Sequence, residues 1–253
     1  MQEFLIVSVL FFTGLCSGFM NTVASSGTAL TLPVMIFLGI PPSVANATNR
    51  LPLLLGFATA TYTFHKHNNI DWIQVKKLII PVIIGTILGC SVIGRVKEDF
   101  IRYFLIAALI LSVILILIKP ASLIAVRRGN PREVTLVSLL LMLGVGIWGG
   151  LIVLDIGTLI LFALVLYQNN DIQKANGLKA VLILAIGIVS TLYFGFNDLI
   201  YWEYGIILSA GSILGSYVGS KFALQLRSRV WIYRIILVII MIEMVTLAIK
   251  EFS

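Results

Sequence analysis

Asn46, Asn49 and Arg50 stand together in Ala45-Asn46-Ala47-Thr48-Asn49-Arg50, at the head of a long apolar run. A related group, Ala175-Asn176-Gly177-Leu178-Lys179, heads another apolar run 130 residues later. A spacing of three puts Asn46 and Asn49 on one face of a helix, and Asn176 and Lys179 likewise. Amides donate hydrogen bonds and the cations add positive charge, which is what a bound anion needs from its surroundings. Lys179 is followed by seven apolar residues. Its charge is therefore expected inside the protein, where ionisable groups are functional candidates by default. The plainer alternatives are that Arg50 and Lys179 snorkel to a nearby surface and that the asparagines bond between helices.

Two further polar stretches interrupt apolar sequence. One is Asn21-Thr22-Val23-Ala24-Ser25-Ser26-Gly27-Thr28; the other holds Trp148-Gly149-Gly150 and then Leu154-Asp155-Ile156-Gly157-Thr158. Ser, Thr and Asp favour helix N-caps, and Gly permits unusual dihedrals. Helices starting here would present free N–H groups and positive dipole ends to an anion. The candidate ligands are Ser25, Ser26, Gly27 and Thr28 in one stretch and Gly157 and Thr158 in the other. Simple capping by Ser25, Ser26 and Thr28 is the alternative. Asp155 stands where the first stretch has Ser25. It could cap the helix, pair with Lys179 or Arg50, or carry a coupling proton.

These groups must be positioned by membrane-embedded elements. Of 253 residues, 59% are hydrophobic and 11% charged, with a mean hydropathy of +1.06. A soluble domain carries about 25% charged residues, so a soluble enzyme, a nucleic-acid binder and a disordered chain are excluded. The net charge of +7 comes from bases lying mostly between apolar runs, where they act as topology signals. Cys16 and Cys90 lie inside apolar runs and read as small buried hydrophobes; His65 and His67 flank Lys66 in a short polar loop. No metal-ligand spacing, catalytic constellation or phosphate-binding Gly-Lys-Ser/Thr loop is present, so neither enzyme activity nor a cofactor is expected. The N-terminus has Gln2 and Glu3 in place of a signal peptide's basic region, and we keep it in the mature protein.

Comparing residue i with i+130 exposes an internal repeat. Gly27-Thr28 meets Gly157-Thr158, Ala45-Asn46 meets Ala175-Asn176, Trp72 meets Trp202, and Gly85 and Gly89 meet Gly215 and Gly219. Each half holds five apolar segments, near 4–23, 28–40, 44–64, 72–94 and 100–118, then near 134–153, 158–168, 175–196, 202–220 and 231–249. Spanning the hydrocarbon takes about 20 residues, so the second segment of each half is too short and is expected to start near the midplane. A short tilted or interfacial helix is the alternative. An odd number of segments inverts the second half relative to the first. The loop of His65, Lys66 and His67, with Lys76 and Lys77 beyond it, has a counterpart holding Asp198 and Glu203, which places the two loops on opposite sides. The predicted fold is an all-α integral membrane protein of two inverted repeats, residues 1–119 and 134–253, joined by a basic cytoplasmic linker over 120–133, with both termini outside. Gly85-x-x-x-Gly89 and Gly215-x-x-x-Gly219 are assigned to helix packing, within one chain or across a homodimer.

At these residues the sequence resembles the sulfite exporter TauE/SafE family, also called the toluene-sulfonate uptake permease family. The resemblance rests on Gly27-Thr28-Ala29-Leu30-Thr31-Leu32-Pro33, Gly39-Ile40-Pro41-Pro42, Ala45 to Arg50, Ile70-Asp71-Trp72, Trp148-Gly149-Gly150, Ala175-Asn176-x-x-Lys179 and the run from Gly211 to Gly219. It implies a multi-pass inner-membrane protein that moves small sulfur oxyanions or organosulfonates. The expectation is therefore a secondary transporter, exporting such an anion by alternating access at the repeat interface, with the lipid bilayer as its surroundings. A carrier of a carboxylate or a metal cation, and a non-transporting scaffold or receptor on the same fold, are the rivals. Proton coupling through Asp155 has a direct test: Asp155→Asn should flatten the pH dependence of transport, and an unchanged pH profile removes Asp155 from coupling.

Overall fold

In lipid a backbone must satisfy its hydrogen bonds within its own segment, which favours helices, and every regular element described here is helical. The computed structural model describes residues 2–23, 25, 27–93 and 131–225. In chain order the helices are α1 (Gln2–Val23), α2 (Thr28–Phe37), α3 (Pro42–Thr48), α4 (Arg50–Lys66) and α5 (Trp72–Ile93). They continue as α6 (Leu136–Leu151), α7 (Ile156–Leu161, extended by a π-helical turn over Phe162–Tyr167), α8 (Ile172–Phe196) and α9 (Trp202–Ala223). Helices α1, α5, α8 and α9 are each long and apolar enough to cross a membrane. The expected segments 100–118 and 231–249, and most of the 120–133 linker, lie outside the described residues.

Element bounds recur at the offset of 130: α5 and α9 do so at both ends, and α8 begins and ends at the equivalents of Pro42 and Lys66. The left-handed residues recur too. Ser25 (φ 74°) and Asp155 (φ 53°), Gly39 (φ 87°) and Asn169 (φ 60°), and Asn68 and Asp198 (both φ 53°) form three pairs at that spacing. One difference from expectation lies in the segment near 44–64, which is interrupted at Asn49, whereas its counterpart α8 is continuous. Pro52 is the cause. It has no N–H to offer the Thr48 carbonyl, and its ring crowds the turn before it; position 182 in α8 is Leu.

The closest helix pairs each join one half to the other. Gly14 and Gly18 of α1 lie on the backbone of Leu208 and Ser212 in α9, while Gly211, Gly215 and Gly219 of α9 lie on Phe11, Leu15 and Phe19. In the equivalent pair, Gly85 and Gly89 of α5 meet Leu143 and Ile147 of α6, and Gly146 and Gly150 meet Val82 and Thr86. Residue numbers rise together in both pairs, so each pair runs parallel. The glycines assigned to packing therefore pack within this chain. Helix α4 lies against α8 and α9, and α8 also against α5. Phe57, Phe64, Leu78, Leu164, Leu178 and Ile186 share the largest apolar core. Phe4, Phe12, Ile80, Leu140, Ile206 and Val218 point outward, as lipid-facing side chains do.

Loop contacts sort the helix ends. Asn69 Nδ2 donates to Gln173 O at 2.7 Å and Gln173 Nε2 to Leu224 O at 3.2 Å, so the end of α4, the start of α8 and the end of α9 lie together. This end carries Lys66, Lys76, Lys77, Lys174 and Lys221, whereas Asp198 and Glu203 sit at the opposite end, where α9 begins. We refer to them as the basic and acidic ends.

A side chain at Gly89 or Gly215 would strike the carbonyls of Ile147 or Leu15. Gly89→Val and Gly215→Val should each cost about 1–3 kcal/mol or more, read as a lower melting temperature in detergent. Gly144, with nothing within 4 Å of its Cβ position, should accept Ala without loss.

Candidate functional site

Helix α1 ends at Val23 and α6 at Leu151, each followed by a short non-helical link and then a short helix. Helix α2 has 10 residues, about 15 Å, and α7 with its π turn has six plus six, about 18 Å. Either covers about half of a hydrocarbon core roughly 30 Å thick.

The two short helices begin against each other. A Cβ at Gly157, in the first turn of α7, would lie 2.5 Å from both Cβ and Oγ of Ser25, just before α2. Glycine at 157 is what permits this approach. Ser25 and Asp155 occupy equivalent left-handed positions, a conformation that disfavours residues other than Gly by roughly 1–2 kcal/mol. The bend before α2 is held by Asn21, whose Oδ1 accepts from Gly27 N–H at 2.9 Å.

The broken ends of α1 and α6 expose carbonyls, and a buried cation from the opposite half meets each. Lys179 Nζ donates to Asn21 O (3.3 Å), Thr22 O (3.0 Å) and Ser25 Oγ (2.9 Å). Arg50 donates through Nη1 to Gly149 O and through Nη2 to Gly150 O (3.2 Å), with its guanidinium 5.2 Å from the centre of the Phe194 ring. Both side chains are 0% exposed, so neither snorkels. Positive charge at a helix C-terminus is favoured by the helix dipole.

Asn46 is also committed to backbone: Nδ2 donates to Leu151 O at 3.0 Å and Oδ1 accepts from Val153 N–H at 3.1 Å. It thereby spans the link after α6. Its equivalent, Asn176, is fully buried, and neither amide atom has a hydrogen-bond partner among the described residues. Lys179, one turn on, already takes Asn21 O, the carbonyl that the Asn176 amide would use by analogy with Asn46 and Leu151 O. Asn49 Oδ1 accepts from Thr31 Oγ1 at 2.9 Å, leaving Nδ2 unpartnered. Thr28 and Thr158, equivalent residues in the first turns of α2 and α7, are both buried, and neither hydroxyl has a hydrogen-bond partner among the described residues.

Ser26 lies outside the described residues. Asp155 takes the N-cap position of α7 but makes no side-chain capping bond; its carbonyl accepts from Thr158 and Leu159 N–H. Capping by its carboxylate, one of the roles expected of it, is thus not what the structure has: a left-handed N-cap turns the side chain away from the first-turn amides. Asp155 is the one carboxylate among the buried side chains described. No group of three or more His, Cys, Asp or Glu able to hold a metal occurs among the described residues.

Ser25, Gly27, Thr28, Gly157 and Lys179 thus converge on the meeting point of the helix starts, with Asn176 one turn from Lys179, while Asn46 and Arg50 secure the link after α6. In the sequence Asn21 and Thr31 stand only as members of longer stretches, and the carbonyls of Gly149 and Gly150 carry no side-chain signal. Asn21 was findable as the one amide preceding the glycine bend. Asn46→Leu would strand Leu151 O and Val153 N–H, at about 1–3 kcal/mol for each buried group. Its melting temperature should fall well below that of wild type, and an unchanged value would show that the link is held by other means.

Known proteins bear on what such an arrangement belongs to. The model of the family described as "Sulfite exporter TauE/SafE" matches residues 10–247. The chain is 25% identical over 219 residues to a "Probable membrane transporter protein" of Haemophilus influenzae, covering 87% of this chain and 86% of that one. It is 26% identical over 223 residues to the "Probable membrane transporter protein YfcA" of Escherichia coli K12, covering 87% and 82%. A Sinorhizobium "Probable membrane transporter protein ORF9" is 24% identical over 223 residues, covering 87% and 84%. No solved structure matches the chain. With the family match running through both halves, the chain belongs to the sulfite exporter TauE/SafE family of multi-pass membrane transporters.

Proposed function

We propose that this transporter exports small sulfur oxyanions, sulfite or a related sulfonate, across the inner membrane. The observation that carries the reading is the meeting of the two helix starts, Ser25 against Gly157, with Thr28 Oγ1, Thr158 Oγ1 and the Asn176 amide buried and unpartnered around it. A polar group buried without a partner costs about 1–3 kcal/mol, and an oxyanion is a ligand that accepts from several such donors at once. Lys179 and Arg50, one layer behind, make the surroundings positive, and among the described residues Asp155 is the one buried carboxylate set against them.

Alternating access needs the site to be reachable from either side. Two inverted repeats provide this, and the helix directions support inversion. Helix α1 runs parallel to α9 and so toward the basic end, whereas its equivalent α6 runs parallel to α5 and away from it. Basic residues favour the cytoplasm, so the basic end faces inward and the start of α1 faces outside. In a cell negative inside, expelling an anion is downhill by about 2.3 kcal/mol per charge per 100 mV, so export needs no coupling ion.

Proteoliposomes loaded in turn with sulfite, sulfate, thiosulfate and an alkyl sulfonate test the proposal. Wild type should release sulfite or the sulfonate well above protein-free vesicles. Thr28→Val with Thr158→Val should slow this by roughly 100-fold or more, the loss of two hydrogen bonds to a charged ligand, and Lys179→Ala should do the same. Wild-type vesicles that leak no faster than empty ones would end the reading.

A further inference from the structure

The geometry points to a second anion station, at the basic end of the bundle, where Gln168 and Asn170 receive a small oxyanion before it passes along α8 to the helix-start junction. It rests on the transport reading above and extends it to the route.

Gln168 and Asn170 lie between the π turn and α8, each 1% exposed. Both amide atoms of Gln168 and Nδ2 of Asn170 have no hydrogen-bond partner among the described residues. Their backbones, by contrast, are tied down. Gln168 N–H donates to Ala163 O (3.1 Å) and Asn170 N–H to Leu164 O (3.0 Å), and Arg132 N–H donates to Gln168 O (2.8 Å). The loop therefore holds its shape without using the side-chain amides. Leu164, Val165 and Ile172 around them are buried and apolar, so the polarity of the amides is a cost to stability unless something from outside the chain takes their hydrogen bonds.

Position and charge identify that partner. Arg132 reaches the same loop, its Nη1 on Tyr167 O at 3.3 Å, and with Lys174 it sets positive charge at the mouth beside two carboxylates, Glu133 and Asp171, the latter occupied in accepting from Gln173 N–H. Inward along α8, counting from Ile172, Asn176 is about 6 Å on and Lys179 about 10 Å on. Unpartnered amides thus lead from a guanidinium at the surface to the ammonium at the junction.

The other half has no such series. The equivalents of Gln168 and Asn170 are Leu38 and Ile40, and the equivalent of Asn176 is Asn46, already bonded to Leu151 O and Val153 N–H. The other half closes the equivalent turn with the half-buried Leu38 and Ile40, so the turn itself does not require amides there.

Two measurements test this. In a Cys16→Ser background, Asn170→Cys in vesicles with the basic end outward should react with an anionic, membrane-impermeant methanethiosulfonate at least 10-fold faster than buried Cys90 does in the same background. Methanesulfonate, inert to thiols, should slow that reaction at least threefold. No labelling means a dry core, and labelling that methanesulfonate leaves untouched means water without an anion station; either overturns the proposal. Gln168→Leu with Asn170→Ile should raise KM for sulfite presented at the basic end at least 10-fold without lowering the melting temperature. An unchanged KM, or a KM that rises only together with a lowered melting temperature and is not restored when Gln168→Asn keeps an amide there, shows a structural role instead. Labelling reads the station independently of which anion wild type carries, so its failure is distinct from failure of the transport reading.

Discussion

Two helices that stop inside an apolar protein leave carbonyls with no water to satisfy them, and the architecture around the junction follows from this. Lys179 meets the end of α1, and Arg50 with Asn46 meets the end of α6 and the link beyond it. An unpaired ammonium or guanidinium in such a place would cost several kcal/mol in lost hydration. Carbonyls at the negative end of a helix supply the compensating field. Cation and broken helix thus make each other tenable. The arrangement is reciprocal, since each half lends its charge to the other's break.

With the carbonyls answered by protein cations, the groups left over among the described residues are the hydroxyls of Thr28 and Thr158, Nδ2 of Asn49 and both amide atoms of Asn176, in which donors outnumber the one amide acceptor. That imbalance, more than any single residue, gives the junction its preference for an acceptor-rich ligand. It also gives Lys179 two roles at once, since Ser25 Oγ takes its third hydrogen bond and ties the start of α2 to the same ammonium that closes α1.

Much of this was legible in the residue order. The shortness of the second segments followed from length alone, and burial of Lys179 from the apolar run behind it. Other features were hidden for identifiable reasons. Hydropathy reads straight through Pro52, so the interruption at Asn49 was missed although the proline that causes it was in view. The partners of Arg50 are backbone carbonyls of Gly149 and Gly150, which no side-chain pattern announces. Ser25 and Asp155 adopt left-handed dihedrals with no glycine to signal them. Gln168 and Asn170 follow an apolar run and look like a surface loop, and only the fold reveals that they are enclosed.

The glycine-lined contacts carry a mechanical consequence. Backbone touches backbone between α1 and α9 and between α5 and α6, and surfaces so closely fitted slide or separate only with great difficulty. Each of these planks is a hybrid, one helix from before residue 120 and one from after it. A motion that swung one duplicated half as a block would tear both planks open. Any rearrangement that keeps both planks intact must therefore cut across the two halves and bend where the helices are already broken.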